Sequence, residues 1–287
     1  MVDGLVVVDK AVGWTSHDVV AKCRGIFGQK RVGHAGTLDP GATGVLLVGL
    51  GRVTRLLRYP SALPKSYVGE VVLGAETSTL DDEGEVTATY DMSGVTLDDV
   101  RVAAQRFVGA IQQVPPMVSA VKVGGRRLHQ LARAGEEVER EPRPVTVHSL
   151  DVGPGAEPGV FTLEVTCSAG TYVRVLAADL GYALGGGAHL RRLRRTAVGS
   201  FSVDEARPVE AVGEDAVLPP MDAMRGYPLV DVEPGVADQV RHGQVLAAAP
   251  LGIEGAGPWA VIDADGALLA VYERYENDQV KPAVVIG

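Results

Sequence analysis

The chain has 287 residues, a net charge of −9, two cysteines and 36 glycines, and 46% of its residues are hydrophobic. This length and apolar content predict one large domain plus a small one, and the glycines favour a strand-containing fold over a helical bundle. No apolar run approaches the length of a membrane span, and two distant cysteines match no metal-binding spacing, so we expect reduced thiols in a cytoplasmic protein.

The first elements predicted along the chain are a strand, a helix and a second strand. The apolar strand is "LVVVDK" at 5–10, and the helix follows at 15–28, with Thr15 or Ser16 as its N-cap and Gly28 as its stop. The second strand, "VLLVGLG", is typical of a strand buried on both faces. Between helix and strand lies "GHAGTLDPGATG" at 33–44, a loop that adds little to a core. So many small residues must be explained by the shape of the backbone, by the close approach of another group, or by chemistry.

The middle of the chain predicts another strand, a helix and an excursion. "SYVGEVVLGAET" at 66–77 is typical of a strand, and 97–111 fits an amphipathic helix with a buried side that runs from Val100 to Ile111. From about 112 to 144 the sequence is rich in proline, glycine and charge. We interpret this segment as a mobile insertion in the main domain.

The remaining elements close the large domain and open a small one. "VFTLEVTCSAG" alternates like a half-buried strand, and a helix follows from about Tyr172 to the glycines at 185–187. We place a domain boundary near residue 227. The tail beyond it should be a small β-rich module with a hairpin turn at Asp265-Gly266.

The charges are unevenly distributed. From residue 228 onward three basic residues face nine acidic ones, an unusual balance for phosphate contact. Basic residues cluster in the first 227 residues, and each cluster is open to two interpretations, a solvated face or a phosphate-binding patch. The four clusters are Lys22, Arg24, Lys30 and Arg31; Arg52, Arg55 and Arg58; Lys122, Arg126, Arg127, His129 and Arg133; and "RRLRR" at 191–195.

Asp39 is the best candidate for chemistry in the bare loop. Because proline restricts the residue before it, Asp39 is held in a limited set of conformations. The alternative is that Asp39 and Pro40 start a helix or turn, with Asp39 as the cap. Signatures of phosphate loops, dinucleotide binding and metal ligation are absent from the sequence.

Three further residues have both a structural and a functional interpretation. Arg174 lies in the first turn of a helix, where the dipole disfavours a cation, so a carboxylate or phosphate in front of that helix would explain it; the alternative is an exposed arginine. Tyr67 is either a core residue or a ring offered to a flat substrate. His34 is either an inert loop residue or a ring that stacks on a base.

Taken together, these segments resemble the bacterial tRNA pseudouridine-55 synthases of the TruB type. The motifs that carry the resemblance are "DKAVGWTSHDVV", "GHAGTLDPGATG", "KSYVGEVVLG", "PPMVSAVKVGGRRLHQLARAG", "GTYVRVLAADLG" and "GGGAHLRRLRRTAVGSF", in the family's order. They cover most of residues 5–202. The strings that contain Asp39 and Arg174 are highly specific as a pair.

The resemblance implies roles for six residues. Asp39 matches the catalytic aspartate, Tyr67 the tyrosine that stacks on the target base, and Arg174 the arginine that pairs with the aspartate. Three others match substrate-binding positions: His34, which enters the T loop as the nucleotide leaves it, and Tyr172 and Leu193, which line the pocket. His129 departs from the family, since tyrosine is usual there.

The resemblance also implies the architecture and the partners. We expect an α+β pseudouridine-synthase fold, with a mixed, largely antiparallel central sheet flanked by helices, in a catalytic domain at 1–227 whose insertion spans about 112–144. A small PUA-like domain should follow at 228–287. The partner is the T arm and T loop of tRNA, with no membrane, no cofactor and no obligate protein partner; a cytoplasmic monomer is expected.

Two alternatives to this enzyme stay open. One is an RNA-binding or tRNA-folding protein with a vestigial pocket, which would need none of Asp39, Tyr67 and Arg174. The other is a relative that acts on another uridine or another RNA.

Overall fold

The computed structural model describes residues 2–119, 122–136 and 138–286. In this part of the chain the helices are α1 (Ser16–Ile26), α2 (Arg58–Ala62), α3 (Leu97–Gln105), α4 (Leu128–Arg133), α5 (Val173–Ala183) and α6 (Pro234–Arg241). The strands there are β1 (Gly4–Lys10), β2 (Val32–Ala35), β3 (Thr43–Leu50), β4 (Lys65–Leu73), β5 (Ala75–Thr77), β6 (Val86–Thr89), β7 (Gly109–Gln113), β8 (Lys122–Val123), β9 (Arg126–Arg127), β10 (Arg143–Pro154), β11 (Val160–Cys167), β12 (Ala188–Val198), β13 (Phe201–Ser202), β14 (Arg207–Pro208), β15 (Leu229–Asp231), β16 (Leu246–Ala247), β17 (Trp259–Ile262), β18 (Leu268–Arg274) and β19 (Gln279–Val285).

The chain divides into two compact units. Unit 1 contains Met1–Pro40, Gly44–Ala62 and Gly199–Gly287, and unit 2 contains Gly41–Thr43 and Leu63–Val198. None of the helices described is long and apolar enough to cross a membrane.

Four strands and a helix build the first part of unit 1. β1 and β2 both run antiparallel to β3, and β14 pairs with β1 in parallel. Every residue of β3 from Gly44 to Leu50 is buried, which confirms the strand predicted to be covered on both faces. Thr15 caps α1 in a capping box with Asp18, and Gly28 follows the helix with a φ of +59°, so the predicted start and stop are both confirmed.

The C-terminal part of unit 1 has a sheet of its own. Its strand order is β15-β17-β18-β19-β16, with β15 and β17 parallel and the other pairs antiparallel. Trp259, Leu269 and Tyr272 lie in the apolar core under this sheet. β17 and β18 form the hairpin predicted around Gly266, whose φ is +77°. The β-rich character of the tail is confirmed, while the boundary near residue 227 stays a prediction.

An antiparallel sheet with helices on one face forms the centre of unit 2. The strand order is β12-β4-β11-β10-β7. α3 and α5 pack on this sheet through Val100, Leu176 and Leu180, which share one core with Leu163 and Val165 of β11. The α+β class predicted from the sequence is therefore confirmed.

Two predicted elements need correction. The helix predicted over 97–111 ends at Gln105, and 109–113 form β7 instead, because Gly109 turns the chain with a φ of +106° and β10 supplies a partner strand. The predicted insertion at 112–144 begins inside β7 and ends inside β10. Its described part holds the β8–β9 hairpin and α4, and its mobility stays a prediction.

Candidate active site

The loop that carries Asp39 joins β2 to β3 and contains no helix between residues 36 and 42. The alternative in which Asp39 caps a helix is therefore wrong; a turn at Pro40 and Gly41 follows it instead. Asp39 is half-buried, between the buried Leu38 and the exposed Pro40. The bare loop thus has a fixed backbone on each side of the carboxylate.

Hydrogen bonds from the segment between β1 and α1 hold this loop. The Ser16 hydroxyl donates to the Leu38 carbonyl at 3.1 Å and accepts from the Leu38 amide at 2.9 Å. The Pro40 carbonyl accepts from the Gly13 amide at 2.9 Å and from the Lys10 ammonium at 3.2 Å. Both neighbours of Asp39 are therefore anchored.

His34 lies on β2, where it is opposite Val48 of β3. Its half-buried ring meets the ring of His17 edge to face, with centroids 5.5 Å apart and an interplanar angle of 76°. His17 is exposed in the first turn of α1. The two imidazole rings are therefore in contact with each other in unit 1.

Arg174 lies in the first turn of α5 and is 4% exposed, so the interpretation as a solvated arginine is wrong. Its guanidinium donates to the carbonyls of Thr79 and Val118 at 2.8 and 2.9 Å, and its Nη1 is 3.3 Å from Oδ2 of Asp81. A carboxylate in front of the helix, as expected from the helix dipole, is thus present.

Asp81 is a site residue that the sequence reasoning missed. It lies in the acidic segment "STLDDEGE" at 78–85, between β5 and β6. The segment is fixed in place because the Leu190 amide of β12 donates to the Leu80 carbonyl at 3.0 Å, and the Asp82 amide donates to the Leu190 carbonyl at 3.1 Å. The pairing with Arg174 is a tertiary contact, which the local sequence around Asp81 does not show.

Tyr67 and Leu193 share a face of unit 2. Tyr67 is half-buried on β4, and both side chains pack against the core that α5 covers. A bulge shifts the register of β12 after Arg191, and Leu193 then lies against Gly69 of β4, where an added Cβ would be 3.4 Å from its Cδ1. Since residues 67 and 69 point to the same face of a strand, the structure brings Tyr67, Leu193 and α5 together.

Tyr172 is the N-cap residue of α5, but its side chain makes no capping bond. The buried Gln113 side chain fixes its backbone instead, accepting from the Tyr172 amide at 3.0 Å and donating to its carbonyl at 3.3 Å. Asp39 and His34 belong to unit 1, whereas Tyr67, Tyr172, Arg174 and Leu193 belong to unit 2. A single pocket made by all six stays a prediction.

The basic clusters differ in what they contact. Lys22, Lys30 and Arg31 are exposed, as a phosphate-binding patch requires. Several arginines of the other clusters contact protein groups. Arg52 and Arg55 donate to the Ile286 and Val285 carbonyls. The ion pairs are Arg58 with Glu273, Arg126 with Glu136, Arg191 with Glu70 and Glu157, and Arg192 with Glu70. The side chain of His129 lies outside the described residues.

Lys65, on the strand of Tyr67, and Arg195, on the neighbouring β12, are buried cations, 5% and 1% exposed. The Lys65 ammonium donates to the Leu63 carbonyl at 2.6 Å. Burial and the neighbouring Arg195 charge lower the pKa of Lys65 to about 8. No group of three or more His, Cys, Asp or Glu side chains in the described ranges is arranged to hold a metal ion.

Solved structures share this architecture over nearly the whole chain. One, described as a Cbf5-Nop10-Gar1 complex, has a TM-score of 0.74 and 28% identity and covers 99% of this chain and 83% of that one. Another, an H/ACA RNP bound to a substrate RNA containing 2′-deoxyuridine, has a TM-score of 0.75 and 24% identity, so it supports the fold alone. Together with the family match given next, these likenesses confirm the predicted pseudouridine-synthase fold.

The matching family and the curated relatives identify the class of enzyme as a pseudouridine synthase. The family described as "TruB family pseudouridylate synthase (N terminal domain)" matches residues 24–173, and two C-terminal families of tRNA pseudouridine synthases match 174–223 and 227–287. The tRNA pseudouridine synthase B of Mycobacteroides abscessus is 46% identical, over 93% of this chain and 91% of that protein. The one from Symbiobacterium thermophilum is 51% identical, over 84% and 82%. This chain belongs to the TruB family of pseudouridine synthases.

Proposed function

We propose that the chain converts uridine 55 in the T loop of tRNA to pseudouridine, with Asp39 as the catalytic carboxylate. The relatives named tRNA pseudouridine synthase B support tRNA as the substrate. The observation that carries the rest is the pair of strings "GHAGTLDPGATG" and "GTYVR", whose resemblance to the family's motifs supports Asp39 and Arg174 as active-site residues. A cytoplasmic, cofactor-free enzyme that works without a protein partner is part of this proposal.

The reaction is an isomerisation. The bond from C1′ to N1 breaks, the uracil turns, a bond from C1′ to C5 forms, and the C5 proton is lost while N1 gains one. Asp39 acts as an ionised carboxylate by attack at the sugar, by attack at the base, or by deprotonation of the sugar. We assign Arg174 as the partner of this carboxylate, the role that the matching arginine has in the family.

The target base must first leave its stack, which costs a few kcal/mol. Stacking on Tyr67 and entry of His34 into the vacated space offset that cost. Tyr172 and Leu193 line the remainder of the pocket. The position of Leu193 on the Tyr67 face of β4 supports this assignment.

Release of tritium from tRNA that carries 5-³H-uridine tests the proposal. Wild type should release tritium, and Asp39→Asn should release none above background. Asp98→Asn, an acid-to-amide change on an exposed side chain of α3, is the matched control and should behave as wild type.

Two results would contradict the proposal. Normal release by Asp39→Asn would remove the carboxylate from the mechanism. Tight tRNA binding by the wild-type protein without any release would favour the RNA-binding alternative. A salt titration cannot separate these readings, because both predict affinity that falls with salt.

A further inference from the structure

Ser16 is buried in the first turn of α1, with 2% of its surface exposed, and its hydroxyl bonds to another segment of the chain. It satisfies both backbone groups of Leu38 at once, accepting from the amide at 2.9 Å and donating to the carbonyl at 3.1 Å. Leu38 itself is 4% exposed. The residue directly before Asp39 is therefore clamped by one side chain.

A second set of bonds clamps the residue directly after Asp39. The Pro40 carbonyl accepts from the Gly13 amide and from Lys10, whose fully buried ammonium also donates to the carbonyls of Ala11 and Trp14 at 3.0 and 2.7 Å. Residues 10–16 thus hydrogen-bond to the residues on both sides of Asp39.

Two glycines shape the ends of this loop. Gly36 and Gly44, which flank it, both have positive φ angles, of +87° and +101°. The capping box of Thr15 and Asp18 fixes the start of α1 and so fixes the position of Ser16. A catalytic group displaced by about 1 Å can lose on the order of 100-fold in rate.

We propose that Ser16 is a positioning residue for Asp39: its hydroxyl sets the backbone of Leu38 and thereby the place of the carboxylate. This rests on the proposed function of Asp39. Ser16 acts through Leu38 and does not touch the substrate. Its loss should slow the chemical step while tRNA binding is kept.

Ser16→Val and Ser16→Thr form the decisive pair, since they have the same shape and differ in the hydroxyl. The single-turnover rate of pseudouridine formation should fall about 10-fold to 100-fold in Ser16→Val and return to within about threefold of wild type in Ser16→Thr. The tRNA dissociation constant should change less than about twofold in both. Thr96→Ala removes the N-cap hydroxyl of α3, a helix that does not carry the loop of Asp39. This variant controls for a loss of stability alone and should keep the wild-type rate.

Each outcome decides the matter. Equal rates in Ser16→Val and Ser16→Thr, or a loss of tRNA affinity that matches the loss of rate, would overturn the positioning role. Ser16→Ala, measured in parallel, removes the hydroxyl without the added methyl groups and should repeat the slow rate; a wild-type rate there also overturns it. Tritium release by Asp39→Asn is the separate criterion for the proposed function, so the two can fail independently.

Discussion

Four cations are buried among the side chains that the structure describes. Lys10, Lys65, Arg174 and Arg195 are each at most 5% exposed. Local sequence pattern singled out Arg174 from its place at a helix start, and Arg195 only as a member of the basic run at 191–195, for which a solvated face or a phosphate-binding patch was expected. Burial of the other three depends on strand neighbours far along the chain, as when β4 and β12 place Lys65 near Arg195, and no local pattern reports it.

Lys65 gives a pH prediction. The unfolded chain keeps this proton up to about pH 10.4, whereas the folded pKa is about 8. Between these values the unfolded state binds more protons, so the free energy of unfolding rises with pH, by up to about 1.4 kcal/mol per pH unit from this group. Below pH 8 the cost of burying the charged amine is fully present.

Urea unfolding of wild type and Lys65→Met at pH 7 and pH 9.5 measures this. From pH 7 to pH 9.5 wild type should gain about 2 kcal/mol relative to the variant. The buried thiol of Cys23, whose pKa burial raises to about 11, titrates in both proteins and cancels. Parallel pH curves for the two proteins would contradict the prediction.

Local signals explain which elements were predicted correctly. α1 and α5 have helical periodicity and stop at glycines, and β3 is a continuous apolar run. The end of α3 and the existence of β7 depend on pairing with β10. Because β10 lies about thirty residues further along the chain, no local sequence window contains both strands. The densest basic run became β12, with Arg191 and Arg192 turned to Glu70 of the neighbouring strand.

The loop between β5 and β6 gives a prediction at the scale of elements. Asp81 joins it to α5 through Arg174, and the Thr77 hydroxyl donates to the Asp81 carbonyl at 2.6 Å. Asp81→Asn removes a charge from a buried pair, so we expect a loss of about 1–3 kcal/mol in the free energy of unfolding. The single-turnover rate should fall as well, since Arg174 loses a group that orients it.

Asp82→Asn is the matched control, one residue along the same loop. Denaturant unfolding and tritium release measure both variants. Equal stability and equal rate in Asp81→Asn and Asp82→Asn would contradict the prediction, since the pairing with Arg174 would then contribute to neither property.

The C-terminal sheet is attached to the N-terminal part of unit 1 by the arginines that the sequence suggested for phosphate. Arg52 donates to the Ile286 carbonyl at 2.5 Å and pairs with Asp3, and Arg55 donates to the Val285 carbonyl at 2.7 Å. Arg58 pairs with Glu273 at 2.8 Å. These arginines contact protein groups, which the sequence could not show because Glu273, Val285 and Ile286 lie more than 200 residues away.

Salt dependence of tRNA binding separates the two kinds of basic cluster. Lys30→Ala, in the exposed cluster, should lower the slope of log affinity against log salt by about one. Arg55→Ala should leave that slope unchanged and should instead speed amide hydrogen exchange at the end of β19. A lower slope in Arg55→Ala would return that arginine to the RNA interface.

The most direct test of the whole account is a site-resolved map of pseudouridine in tRNA from a strain that lacks this enzyme. Expression of the wild-type chain should restore pseudouridine at position 55, and Asp39→Asn, at equal protein level, should restore none. Pseudouridine at position 55 with the variant, or at other positions alone with the wild type, would contradict it.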